Sequence, residues 1–344
     1  MPAEWERHQA TWIAWPHQRD DWPDKFEPIP WVYGEIVRHL HRAEEVCILV
    51  NNADGRRQAE GVLEKLAVDQ QRISFWQVPT DRVWTRDYGP LFVAAAGANA
   101  IVNFAFNAWA KYPNWQRDDA ATAQINDKLR LQMGQPELHG RRVVLEGGSI
   151  DVNGQGLLLT TEECLLSDVQ ERNPCFTRAD YERLFADYLG VRKVLWLGRG
   201  IAGDDTHGHI DDLARFVGPR AVVAVIEEDR GDVNYEPLQE NLQRLRDMTD
   251  LDGRLLEVHT LPMPAPLWFA GQRLPASYAN FYIANDYVLV PTFNDTNDRR
   301  ALALLADLFP GRTVIGIHAV DLVWGLGTLH CLTQQQPASE GGTS

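Results

Sequence analysis

Four loops of this chain carry side chains that can do chemistry together. The first holds Asp87, in Trp84-Thr85-Arg86-Asp87-Tyr88-Gly89-Pro90, and the second holds Glu146, ahead of Gly147-Gly148. The third is the densest: Gly203-Asp204-Asp205-Thr206-His207-Gly208-His209-Ile210-Asp211-Asp212. The fourth ends in His330-Cys331. A thiol, an imidazole and several carboxylates meeting at one point make a nucleophile, a base and groups to orient them. Singly, each has a plainer explanation. A lone cysteine is most often a small buried apolar residue. A lone histidine is more often a core or surface residue than a base. Asp87 beside Arg86 suits an ion pair or a turn, and Glu146 before two glycines suits a turn cap. What lifts the set above its members is that these loops occupy equivalent places in a repeating pattern.

The elements that must position them are strands and helices in alternation. Apolar, β-branched runs bounded by turn residues predict strands at 46–50, 73–78, 91–95, 101–106, 143–145, 157–160 and 194–197. Further runs lie at 213–217, 221–226, 255–261, 278–283, 287–290 and 313–317. Helical periodicity marks 31–43, 56–67, 118–133, 178–189, 237–248 and 298–308. Thr177 and Asn297-Asp298 read as helix starts, Gly190 and Gly311 as C-cap glycines. The class is α/β. The plan of helix, strand, long polar loop and hairpin recurs, and Asp81-Arg82-Val83-Trp84 even echoes Asp321-Leu322-Val323-Trp324. Five such units of roughly 60 to 70 residues predict a closed circular array, because each unit needs neighbours to bury its faces. Equivalent loops of such an array fall on the same end of its axis. A doubly wound sheet is disfavoured by the repeated hairpins.

Composition narrows the partner. The 344 residues hold 33 Lys+Arg against 48 Asp+Glu, a net charge of −15. That balance argues against a phosphate backbone and suits a small cation or simple solubility. No GxGxxG or GK[ST] loop supports a nucleotide, and His207-Gly208-His209 lacks the HExxH spacing of a zinc site. No basic leader with an apolar core opens the chain, and no run approaches a membrane span. Cys47, Cys164, Cys175 and Cys331 form no CxxC pair, so free thiols and a cytoplasmic location are expected. One catalytic domain over 1–337 is expected, with a disordered tail at 338–344.

At these loops the sequence resembles the agmatine deiminase family of guanidine-modifying enzymes. The resemblance covers nearly the whole chain. It opens with Met1-Pro2-Ala3-Glu4-Trp5 and Thr11-Trp12-Ile13-Ala14-Trp15-Pro16, then runs through Trp84 to Pro90 and Phe106-Asn107-Ala108-Trp109. It continues through Leu145 to Asn153, Gly203 to Asp212, Pro275 to Asn285 and Trp324 to Pro337. Thr85, Tyr88, His207, Leu326, Thr328 and Leu329 stand where other letters are common in the family. The resemblance implies a five-bladed α/β propeller and hydrolysis of agmatine to N-carbamoylputrescine and ammonia. By matched position it implies Cys331 as nucleophile, His209 as general acid/base and Glu146 as the partner that hydrogen-bonds the histidine. It further implies Asp87 and Asp211 as guanidinium-binding carboxylates and no metal or organic cofactor. The expected partner is a small cationic guanidine, with homodimer formation left open and no nucleic acid or membrane.

Chemistry sets further expectations. Carboxylates near Cys331 raise the thiol pKa in the empty site, so the arriving cation should activate it. Arg86 is the one basic group in view, and Asp204 and Asp205 are spare acids, so agmatine should be preferred over arginine. Asp205 and Trp84 are expected to contact substrate, with Trp109 or Trp324 also available to wall its methylenes. Competing readings are a deiminase of free or peptidyl arginine, an amidinotransferase, and a protein that only binds small cations.

Overall fold

The computed structural model describes residues 1–95 and 97–339. The part of the expected tail at 340–344 lies outside the described residues. The chain is mixed α/β, and its main sheets share one plan. Each has an antiparallel pair followed by a parallel pair. In one, Leu91–Ala95 runs antiparallel to Ala98–Val102, which runs parallel to Gln132–Gly134. In the next, Asp151–Val152, Leu157–Thr161 and Lys193–Leu197 repeat the order. So do Ala214–Phe216, Ala221–Ile226 and Glu257–Pro262, and Tyr282–Ile283, Tyr287–Thr292 and Thr313–His318. The remaining sheet joins the two ends of the chain: Gln334–Pro337 lies antiparallel to His8–Ala14, which is parallel to Glu45–Val50, followed by Ile73–Gln77.

Parallel neighbours need a crossover, and helices supply it. Ile29–Leu40, Ala53–Lys65, Gln116–Leu129, Arg178–Leu189, Tyr235–Asp247 and Thr296–Leu308 each lie between two parallel strands. Their starts follow local chemistry. Thr177 and Asp180 form a capping box, as the sequence suggested. At the last helix the box is Asp295 with Asp298, two residues ahead of the expected start at Asn297. Gly190 is left-handed at φ 70° and closes its helix. Gly311 does not play that part; Phe309 ends the last helix instead. Central strands are continuous apolar runs such as Ala221–Ile226, whose middle four residues are buried.

Three predicted strands change. Residues 143–145 reduce to an isolated bridge between Val144 and Ala105. The strand expected at 101–106 is Ala98–Val102, and 278–283 shortens to Tyr282–Ile283. There the backbone carbonyls of Ala279 and Phe281 accept from the Arg215 guanidinium and that of Asn280 accepts from His330 N, rather than from a ladder partner. Among the strands not visible in the sequence are His8–Ala14, Gln132–Gly134, where the expected helix at 118–133 has already ended at Leu129, and Gln334–Pro337. Gln334–Pro337 is fully buried although it is three glutamines and a proline, and only its pairing with His8–Ala14 explains it. No helix among the described residues is long and apolar enough to cross a membrane.

Candidate active site

Asp87 sits in the short helix Thr85–Tyr88, which a tight exit at Gly89 terminates. A Cβ on Gly89 would lie 2.3 Å from the Thr85 carbonyl oxygen. This helix is tied to the cysteine loop: Arg86 N donates to Cys331 O (3.1 Å), and Thr85 Oγ1 donates to Leu332 O (2.7 Å). The Asp87 carboxylate accepts from Trp109 Nε1 (2.9 Å) and Gly148 N (3.1 Å). Gly148 must lack a side chain, since a Cβ there would meet His209 Nδ1 at 2.6 Å and Asp87 Oδ1 at 2.7 Å.

The third loop is built by Asp204. Its carboxylate accepts from Thr206 N, Gly208 N and His209 N, at 2.8, 2.7 and 3.1 Å. That turn sends His207 toward Ser167 (3.1 Å) and buries His209. His209 Nδ1 lies 3.7 Å from Asp87 and 4.0 Å from Asp211, and Nε2 lies 3.7 Å from Glu146. Asp211 Oδ2 is 2.8 Å from His330 Nδ1 and 3.6 Å from Cys331 Sγ. Asn280 shapes the fourth loop. Its Oδ1 accepts from His330 N (3.0 Å) and Thr328 Oγ1 (2.7 Å), while its Nδ2 donates to Cys331 Sγ (3.1 Å). Cys331 and Asp87 line a cavity of about 350 Å³ walled by Trp84, Trp109 and Trp324.

Cys331, His209, Glu146, Asp87 and Asp211 therefore converge. Trp84 and Asp205 lie on the cavity wall. Asp205 is not a spare acid: it accepts from Tyr112 Oη (2.6 Å) and pairs with Lys111. Two further expectations are corrected. Glu146 makes no hydrogen bond to His209: its Oε2 stands 3.7 Å from the imidazole Nε2, while its Oε1 accepts from Arg172 Nε at 3.1 Å. Arg86 is not the cation beside the centre; its guanidinium turns to Glu4 and Gln335. The cations close to the acids are Arg172, beside Glu146, and Arg215, beside Glu4 and Asp151. Reading the sequence missed Glu4, Asn280, Arg172 and Arg215. Glu4 and Asn280 lay inside matched blocks, whereas nothing marked the two arginines.

Burial dominates the electrostatics. It pushes Asp87 up to about 7, with Asp211 and Glu146 adding to the rise. Burial also opposes the charge on Glu146, but Arg172 and His209 hold it down at about 2. Asp211 stays below the usual carboxylate range: burial would raise it, and His330 overcomes that. His209 sits well above the usual imidazole range because Asp87 and its other neighbours outweigh burial. The Cys331 thiol is pushed well up by burial and then by Asp211, Asp212 and Asp87. This agrees with the expectation that the empty site suppresses the thiolate. As possible metal donors, Glu146, Cys164 and His209 bring ligand atoms within 4.8 Å of one another. Arg172 already compensates Glu146 there, so the trio has less need of a second cation.

Known proteins resemble this chain over nearly its whole length. The family profile described as Porphyromonas-type peptidyl-arginine deiminase matches residues 1–337. The agmatine deiminase of Pseudomonas aeruginosa strain LESB58 is 35% identical, over 98% of this chain and 95% of its own. That of Ectopseudomonas mendocina strain ymp is 34% identical, over 99% and 96%. The solved agmatine deiminase of Enterococcus faecalis superposes with a TM-score of 0.88 at 34% identity, covering 98% of this chain and 95% of that one. The chain belongs to the Porphyromonas-type peptidyl-arginine deiminase family.

Proposed function

We propose that this chain is an agmatine deiminase, hydrolysing the guanidinium of agmatine to N-carbamoylputrescine and ammonia. The observation that carries the reading is one thiol, one imidazole and two carboxylates meeting beside a tryptophan-walled cavity. Asp87 and Asp211 grip the N–H edges of the planar cation in forked hydrogen bonds. Its charge offsets the acids that suppress the thiol, and Cys331 ionises, its proton leaving to solvent. Sγ then bonds to the guanidine carbon, which becomes tetrahedral. His209, held as imidazolium, protonates one nitrogen; the C–N bond breaks and ammonia leaves. Neutral His209 then takes a proton from water as its oxygen bonds to the amidino carbon. The C–S bond breaks, and the new hydroxyl returns its proton to the thiolate. Glu146 supports His209 electrostatically, and Trp84 walls the methylene stem.

The mouth fits an ammonium better than a carboxylate. The cations there are already committed: the Arg82 guanidinium to Asp21 and Asn114, stacking over Tyr112 at 4.3 Å, and Lys111 to Asp205. We read the five like sheets as blades of one α/β propeller over residues 1–337, which brings the four loops to one end of its axis. The test is release of ammonia and ureido product from agmatine and arginine, by the parent and by Cys331→Ala. Turnover of agmatine by the parent alone supports the reaction and the nucleophile. No turnover of agmatine by folded parent overturns the reading.

A further inference from the structure

Glu4 stands 326 residues before His330, yet its Oε2 is 2.8 Å from His330 Nε2. The other ring nitrogen is 2.8 Å from Asp211 Oδ2. All three side chains are buried. An ionised carboxylate only accepts, so a ring bridging two of them donates from both nitrogens as imidazolium. Glu4 is itself fixed from three other sides: Ile283 N (2.8 Å), Arg215 Nη2 (2.9 Å) and Arg86 Nη2 (3.2 Å). Arg215 also faces Asp151 at 3.4 Å. Three anions, Glu4, Asp151 and Asp211, thus stand against three cations, Arg86, Arg215 and the His330 ring. The network engages one oxygen of Asp211 and leaves Oδ1 without a partner, 4.0 Å from His209 Nδ1.

We propose that Glu4 and His330 are positioning residues: the N-terminal segment, acting through the His330 ring, sets the orientation and negative charge of Asp211 for guanidine binding. The proposal rests on the reading that Asp211 grips the substrate. It explains why a buried glutamate from the chain's start reaches toward the cysteine loop at its end. Both charged neighbours of Asp211 on this side are then accounted for, and burial does not neutralise it.

The test compares parent, Glu4→Gln, His330→Asn and the double variant. Asparagine keeps an amide donor near the Nδ1 position but loses the positive charge and the reach to Glu4. Each single variant should raise KM for agmatine about tenfold, the scale of one charged hydrogen bond, with kcat changed much less. Because Glu4 acts through His330, the double variant should be no worse than His330→Asn alone. Factors that multiply in the double variant would overturn the relay. A second readout needs no turnover: iodoacetamide labelling of the Cys331 peptide against pH. Removing the His330 charge leaves Asp211 unopposed beside Sγ, so the His330→Asn profile should move to higher pH. Coincident profiles would also overturn the proposal. Should Glu4→Gln lose its folded transition, the His330→Asn readouts decide alone. A parent inactive on agmatine, with the labelling shift present, would overturn the function and leave the relay standing.

Discussion

Asp87 and Asp211 lie within 3.7 and 4.0 Å of the same nitrogen of His209 and are equally buried, yet their surroundings drive them apart. Behind Asp87 stand two neutral donors, Trp109 Nε1 and Gly148 N. Behind Asp211 stands a charged ring, backed by Glu4 and Arg215. Neutral donors do not offset desolvation plus nearby acids, so Asp87 rises to about 7. A close cation does, so Asp211 falls. One carboxylate is a fixed anion, and the other is poised to gain or lose its proton near neutral pH. Pairs pushed apart in this way are a recurrent sign of divided labour in a site.

The largest expected effects separate the two acids. Asp211→Asn strips a buried cation of its partner, which typically costs about 3–5 kcal/mol. It should lower Tm and abolish measurable agmatine binding to a Cys331→Ala background. Asp87→Asn should weaken binding strongly too, but raise Tm at pH 8, because it removes a carboxylate that burial disfavours. Calorimetric Tm values moving in the same direction for both variants would break the contrast.

Protons sharpen it next. The folded pKa of Asp87, about 7, exceeds its ordinary value, so folded protein holds a proton that unfolded chain has lost. Stability from this group is present at low pH and lost as pH rises through 7. Glu146, held at about 2, has the opposite sign: its contribution is present above its ordinary value and lost as pH falls toward 2. A cation binds the ionised form of Asp87, so affinity for agmatine should grow as pH rises through 7. Binding to Cys331→Ala at pH 7 should release protons, read by titration calorimetry in two buffers of different ionisation enthalpy; no release would contradict the state of Asp87.

Gly148→Ala comes third. Its Cβ would displace His209 and Asp87 together, so activity should drop by about tenfold or more, with a far smaller change in Tm. Full activity would mean that these two groups are not held in a fixed arrangement. The smallest effect is expected at the mouth. Asp205 is already paired with Lys111 and Tyr112, and partly exposed pairs are worth about 0.2–1 kcal/mol. Asp205→Asn should therefore change KM by no more than a few-fold.

Much of this is legible in the sequence. The strand and helix periods, the Thr177 cap and the left-handed Gly190 are local, and local chemistry decides them. The repeating plan made convergence of four loops an expectation, and the quoted blocks named Cys331, His209, Glu146, Asp87 and Asp211. Local chemistry failed where pairing was distant. Gln334–Pro337 carries no hydropathy signal, and it becomes a strand only because the chain's beginning lies beside it.

The sequence by itself determined the residue types of the site and the order of the elements that carry them, because propensity and turn chemistry act over a few positions. Tertiary structure decided which charges face which. Arg86 lies next to Asp87 in the chain yet pairs with Glu4, while Arg172 and Arg215, unmarked in the sequence, balance the buried acids. Buried ionisation depends on distances of a few ångströms between segments far apart in the chain. The separate states of Asp87 and Asp211 therefore exist only once the fold has brought those segments together.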